Sequence, residues 1–317
     1  MRKNIRIISD TDALRHKIAE FSQPIGLEQM DCLTESQYSK NSLLAMVKDW
    51  NLYVEFCVEK GVNPLPASAT AVRQYVERLA TKRKYATVRR NTVTIGLLHR
   101  ILSQTDPTTN SQVRNVLTQI RLNKHGDAKQ ATPLQLHHIK RLEKLCSKSP
   151  TIQEIRDIAI CYVMFECAMK RSELKSLVFS NIAVNGADTY IQLGDSNYRL
   201  SEQACRALTQ WNDLVAVQEG CVFRAIDKHG NIASNPMDDS SIYRVMRRVG
   251  DKLGVSALSG QSLRVGAVKE LAKQGLKPRD IQLFGRWLSP AMPYQYLGNV
   301  EQAETEKIVF KTIKPWR

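Results

Sequence analysis

The sequence predicts a mainly α-helical protein of two domains. An all-α four-helix domain comes first, and a larger, mostly α domain with one small antiparallel β-sheet follows. Three observations carry this. Apolar residues recur at helical spacing through most of the chain. A polar stretch, NKHGDAKQATP (123–133), interrupts that pattern and ends in proline. Short alternating apolar runs gather in one place, between 176 and 201.

Residues 1–35 lack a period and read as a partly ordered N-terminal arm. The four-helix domain spans 36–122. Its first helix (38–61) puts Leu43, Leu44, Val47, Trp50, Val54 and Phe56 near one face, and Gly61 supplies a left-handed C-terminal cap. The second helix is 69–83. Thr87 is expected to cap the third, 88–104, which turns Ile95, Leu98, Ile101 and Leu102 inward, and the fourth is 110–123. Segment 123–133 reads as the linker, and 134–317 as the second domain. There, helices are expected at 134–147 and 152–170, then strands in SLVFSNIAV, TYIQL and NYRLS with a Gly194–Asp195 turn. Helices resume at 201–218, 238–253, 262–274, 278–285 and 293–314.

Composition narrows the partner. A 317-residue chain with 43% hydrophobic residues can bury a sizeable core. Its net charge of +15 argues for a polyanion, because each cation on a phosphate releases a condensed counterion. Nucleic acid leads, and an anionic membrane is the rival. The apolar run IAICYVMF (158–165) is far too short to span a bilayer, and MRKNIRIISDTDALRHK has no apolar core of a secretory signal. The seven cysteines form no C-x-x-C pair and no histidine cluster has zinc spacing. Reduced thiols in a cytoplasmic protein follow, with Cys161 and Cys167 in the core.

Two basic stretches are candidate readers of that polyanion. Residues 81–100 hold six Lys/Arg and no acid. Lys82, Arg83, Lys84, Thr87, Arg89 and Arg90 surround a helix N-terminus, whose free amides already favour an anion. The alternative is a solvated charged face. In DDSSIYRVMRRVGDKLG (238–254), Ser240, Ser241, Arg244 and Arg247, with Arg248, offer hydroxyls and forks suited to a DNA groove, although acids flank them.

The segment GQSLRVGAVKELAKQGLKPRDIQLFGRWLSPAMPYQY carries Ser262-x-Arg264-Val265-Gly266-Ala267, then Gly275, Gly285-x-Trp287 and Tyr296. This ordered set resembles the C-terminal signature of the tyrosine site-specific recombinases (the phage-integrase family), in particular their Cre-like branch. KRSELKSL (170–177) and, more weakly, the four-helix domain extend the resemblance over most of the chain. It implies an N-terminal core-binding domain, a C-terminal catalytic domain, and a clamp around duplex DNA. It also implies a synaptic tetramer on two DNA sites, or work beside a partner recombinase, in a cytoplasmic protein associated with the nucleoid when bound. The last helix, with Ala303, Ile308, Val309 and Phe310, would dock in a neighbouring subunit or pack within its own chain.

The chemistry implied is in-line attack of a tyrosine oxygen on a phosphodiester. A 3′-phosphotyrosine forms, a 5′-hydroxyl leaves, and a hydroxyl from another duplex reverses the step, without metal, ATP or other cofactor. Charge spreads over the phosphoryl oxygens, so cationic forks must be waiting there. By the resemblance Tyr296, not Tyr294, is the nucleophile, Arg264 clamps a phosphoryl oxygen, Trp287 donates its indole N–H, and Glu173 orients neighbours. Trp287 as core and Glu173 as a surface charge are the plainer alternatives.

Three positions depart from the family pattern. Lys170 stands where an arginine is usual, and lacks its planar fork; Arg171 is one residue, about 100° of helix, away. The hairpin that usually carries a lysine acid has none, only Asn197 and Arg199. Gln261 replaces a histidine and cannot relay a proton at neutral pH. Two readings follow: a recombinase for integration, excision or resolution with a variant site, or a catalytically impaired DNA-binding protein of the same fold acting as an accessory. An unrelated helical DNA-binding regulator is a third.

Overall fold

A computed structural model describes residues 5–124, 126, 127, 130–186 and 188–313. Residues 125, 128 and 129 of the expected linker lie outside the described residues, as do 314–317 of the second domain. The chain divides into two units, Met1–Lys129 and Gln130–Trp316.

The first unit contains helices α1 (Thr11–Phe21), α2 (Leu27–Leu33), α3 (Lys40–Lys60), α4 (Ala69–Lys82), α5 (Tyr85–Ile101) and α6 (Ser111–Asn123). Ser39 and Ser68 accept hydrogen bonds from backbone amides at the starts of α3 and α4, and Gly61 ends α3 at φ +63. α5 starts earlier than Thr87 suggests. Lys84 is its N-cap, and the Thr87 amide already donates to the Lys84 carbonyl, so Thr87 lies inside the first turn. The arm expected at 1–35 carries α1 and α2. Phe21, Met30 and Leu33 are buried in the same core as Trp50, Tyr53, Tyr75, Ile95 and Leu98, and the Trp50 indole donates to the Phe21 carbonyl at 3.0 Å. Ile5 and Ile25 are buried with them, so a few widely spaced side chains anchor the segment, which hides its period. Leu44, expected inward, is 49% exposed.

The second unit begins with α7 (Leu136–Cys146), α8 (Ile152–Glu166) and α9 (Arg171–Ser176). Strands β1 (Ile182–Asn185), β2 (Asp188–Leu193) and β3 (Ser196–Arg199) form an antiparallel sheet in that order, with Ile191 opposite Tyr198. Then come α10 (Glu202–Leu214), a second hairpin of β4 (Arg224–Ile226) and β5 (Ile232–Pro236), and α11 (Asp239–Leu253). The chain continues with α12 (Gly260–Lys273), α13 (Pro278–Phe284), α14 (Ala291–Tyr296) and α15 (Val300–Ile313).

Residues 156–165 of α8 are buried on every side, so that helix is the axis of the core and α7, α10 and α12 pack around it. Its start is fixed by a capping box between Thr151 and Glu154. Cys161 and Cys167 are buried, as expected. The single helix expected at 293–314 is two, because Gly298 turns the backbone to φ +88 and Asn299 then accepts from the Gln302 amide to start α15. Within α15, Ala303 is buried, Ile308 and Val309 are exposed, and the Phe310 side chain lies outside those described. Among the described residues no helix is long and apolar enough to cross a membrane.

One contact sets α12 against the rest. The Leu134 amide donates to the Ser262 carbonyl at 2.9 Å, and a Cβ at Gly266 would sit 1.9 Å from the Leu134 carbonyl oxygen. Only glycine admits that approach. Gly266→Ala is expected to destabilise the second unit by about 3 kcal/mol, through a displaced α12. Urea unfolding followed by tryptophan fluorescence measures it.

Candidate active site

α12 begins at a reciprocal cap in which Ser259 accepts from the Gln261 amide and Ser262 from the Ser259 amide. Gln261 therefore lies in the first turn, and Arg264, three residues on, shares its side. Arg264 is only 4% exposed. Its Nη2 donates to the Gly285 carbonyl at 2.7 Å, and its guanidinium carbon lies 4.2 Å from the Trp287 ring centre. Its Nε is buried without a hydrogen-bond partner among the described residues. A Cβ at Gly285 would overlap the indole at 1.8 Å, so glycine there lets the ring fold back.

Tyr296 is the last residue of α14 and 6% exposed. Its ring meets Trp287 edge-on, centroids 5.9 Å apart, and its hydroxyl points to the Gln261 amide oxygen at 3.4 Å. Its backbone carbonyl accepts from the Gln130 amide at 3.0 Å. Burial raises the phenol above its ordinary range, while the Arg264 charge opposes the rise. Gln261, Arg264, Trp287 and Tyr296, separated in sequence by up to 35 residues, thus form one cluster. Tyr294 is half-buried on the same helix.

A second group adjoins the first. Lys170 caps α9, and Glu173 accepts from the Lys170 amide at 2.7 Å and from its ammonium at 3.0 Å. Glu173 also receives a fork from Arg286, Nη2 to Oε2 at 2.7 Å and Nε to Oε1 at 3.1 Å. Burial disfavours the Glu173 carboxylate, but the hydrogen bonds from Arg286 and Lys170 prevail and hold its pKa at about 2. Arg286 also donates to the Cys167 and Phe284 carbonyls and to the Tyr198 hydroxyl of β3. The charges of Glu173 and Arg286 both act on Arg264, joining the two groups electrostatically.

Arg286 was not legible as a site residue. Its signal is the stretch FGRW, where an arginine occupies the residue that turns α13 toward Trp287, at φ +56. The hairpin residues do not join the cluster. Asn197 and Arg199 flank the buried Tyr198 on the opposite face of β3. Arg199 pairs instead with Asp188 at 2.7 Å. Arg171 is exposed, and its stem crosses Gly260, where a Cβ would come within 2.5 Å of Arg171 Cδ.

The basic stretches are partly committed elsewhere. Lys82, Arg83, Lys84 and Arg89 are exposed and Thr87 is half-buried. Arg90 forks onto the buried Asp49 at 2.7 and 2.8 Å, so the acid missing from 81–100 arrives from α3. On α11, Ser240, Ser241 and Arg244 gather on the Asp238 cap, and Arg247 lies against Tyr243. Arg248 turns inward to Asp157. Among the described residues no group of three or more His, Cys, Asp or Glu could hold a metal ion.

A phenol, a guanidinium with a spare N–H, an indole and an amide around one point, with further cations behind, suit a tetrahedral anion that accepts charge-assisted hydrogen bonds. Comparison with known proteins agrees in kind. The Phage integrase family pattern matches residues 132–302. The chain is 25% identical over 288 residues to an integrase/recombinase xerD homolog of Selenomonas ruminantium, covering 84% of each. It is 22% identical over 303 residues to recombinase cre of Escherichia phage P1, covering 86% of this chain and 87% of that one. The fold resembles that of XerH site-specific recombinase bound to palindromic difH substrate, with TM-score 0.64 at 14% identity, over 96% of this chain and 90% of that one.

Glu173 provides a pH test. Its carboxyl ionises at about 2 when folded, below the ordinary 4.5. The stability it contributes is therefore complete above about pH 4.5 and lost as pH falls through 2. Glu173→Gln is expected to cost roughly 2 kcal/mol at pH 7, with the gap to wild type closing between those pH values in urea titrations.

Proposed function

The chain belongs to the Phage integrase family, the tyrosine recombinases that carry out site-specific DNA recombination, and from that premise we propose that Tyr296 cuts and rejoins DNA strands through a 3′-phosphotyrosine. The observation that carries the reading is the buried Arg264, whose Nε–H has no partner among the described residues, gathered with Trp287 and Tyr296 at one point.

The Tyr296 oxygen attacks a phosphorus in line, and the bond to the 5′-oxygen breaks. The phenol loses its proton as it attacks, and the leaving oxygen gains one to become a 5′-hydroxyl. A 5′-hydroxyl from a second strand then attacks the phosphotyrosine and returns the phenol, so no phosphoester bond is lost. Arg264, fixed by the Gly285 carbonyl, offers Nε–H to a phosphoryl oxygen, and Trp287 offers its indole N–H. The Gln261 amide accepts from the phenol and orients it. Lys170 adds positive charge without a planar fork. The Arg171 stem lies on Gly260, one residue before Gln261, and we assign its guanidinium to the same phosphate.

Duplex DNA is the partner. XerH was solved bound to difH, and the Tn1549 transposon integrase, a fold match with TM-score 0.60 at 12% identity over 92% of this chain and 99% of that one, was solved with transposon right end DNA. We assign the phosphate contacts of the first unit to Lys82, Arg83, Lys84 and Arg89, and of α11 to Arg247. A tetramer on two sites, with α15 as the connecting element, completes the reading. A second reading, an accessory DNA-binding protein with impaired cleavage, is favoured by one observation: the β2–β3 hairpin brings no lysine to the cluster.

The test uses duplexes selected by binding from a randomised pool and rebuilt with a nick beside each candidate phosphate, so that a cut releases a short fragment and cannot reverse. Wild type is expected to form a denaturation-resistant adduct that maps to residue 296. Tyr296→Phe forms none, Tyr294→Phe retains it, and Arg264→Ala slows it by about 10²–10³. Tight binding with no adduct at any nick position selects the accessory reading.

A further inference from the structure

Arg286 occupies a conformation that its residue type avoids. At φ +56 a glycine is unstrained, whereas a long L side chain is strained. The surroundings hold it there. Its N–H groups reach both oxygens of Glu173, the Cys167 and Phe284 carbonyls and the Tyr198 hydroxyl, and its side chain is 16% exposed. Such a guanidinium has its donors committed within the protein. Lys170 is the converse. Its side chain is 43% exposed and its ammonium has one partner among the described residues, Glu173, which leaves two of its three N–H bonds unassigned.

We propose that Arg286 is a positioning residue: it clamps Glu173 in place of the missing fork at 170, and so releases the Lys170 ammonium to a DNA phosphate. The inference rests on the reading that Tyr296 and Arg264 act on DNA. A carboxylate beside a phosphate site repels the incoming anion unless it is neutralised. An arginine at 170 could neutralise Glu173 and meet the phosphate with one planar group. A lysine, a point charge on a flexible stem, cannot do both in fixed geometry. Arg286 divides the work: it grips Glu173 bidentately and ties it to β3 and to the carbonyl of Cys167. Lys170 then faces outward without having to satisfy the carboxylate alone.

Two measurements on the selected duplexes test this. The first is the salt dependence of binding, in which each phosphate contact contributes about 0.9 to the slope of log K against log salt. Lys170→Gln is expected to flatten the slope by about 0.9. Arg286→Gly, which also relieves the backbone, flattens it by the same amount because Lys170 is left as the sole cation on Glu173 and is held there, and the double variant flattens it no further. An unchanged slope in Arg286→Gly overturns the proposal, and additive losses overturn it in favour of Arg286 touching DNA itself.

The second is adduct formation. Arg286→Gly slows it by roughly tenfold or more, the scale of a misplaced contact, and adding Lys170→Arg restores most of the rate because one fork again serves both partners. A merely structural Arg286 predicts no such rescue, and its absence overturns the proposal. Should wild type form no adduct, the assignment of Tyr296 fails, while the salt slopes still decide the role of Arg286.

Discussion

Taking a guanidinium out of water costs several kcal/mol unless its donors find acceptors. In the second unit that cost falls on Arg264. Among the described residues no carboxylate touches it. A backbone carbonyl and the face of an indole hold it instead, and both come from the turn that follows α13. That turn must therefore take one shape: Gly285 bare so that the Trp287 ring can fold back, Arg286 left-handed to reverse the chain. The same ring meets Tyr296, so the arginine, the indole and the phenol are placed by one packing arrangement rather than by three independent loops. Precision at such a point comes from side chains that cannot move without exposing or stranding a charge.

The distribution of charge refines what the net value of +15 suggests. Two arginines in the basic stretches face buried acids. Arg90 turns to Asp49, and Arg248, with Arg156, turns to Asp157. Each of these acids is buried and a charge there is costly unless paired, so these arginines serve the core before they serve a partner. The cations left toward solvent are fewer and more localised than a count along the sequence indicates. Around Glu173, too, two cations meet one carboxylate, with a third near enough to feel it.

Much of this was legible from the residues, for identifiable reasons. Long helices with a buried stripe announce themselves by spacing, so α3, α4, α5, α8 and α11 fall close to their expected limits. The residues 264, 287 and 296 meet as their order suggests. Features decided by a few atoms at long range were not legible. α1 and α2 are anchored by few side chains, and the β4–β5 hairpin is too short to show alternation. The break at Gly298 is one backbone angle inside an otherwise helical composition. Arg286 escapes because its partner lies 113 residues away and its own position is one where glycine is the natural occupant. Asn197 and Arg199 could be placed on the hairpin, but not on a face, until the register showed Tyr198 inward.

The stretch from Gln130 to Leu134 acts as a ruler. At one end the Gln130 side chain grips the carbonyl of Tyr296, and at the other the Leu134 amide grips the first turn of α12. Four residues of fully extended chain reach no more than about 14 Å. The backbone that carries the phenol and the backbone that carries the guanidinium are thus tethered to a strap of fixed length, laid down just where the second unit begins. While both bonds hold, the gap between those two anchors stays within what the strap and one glutamine side chain span.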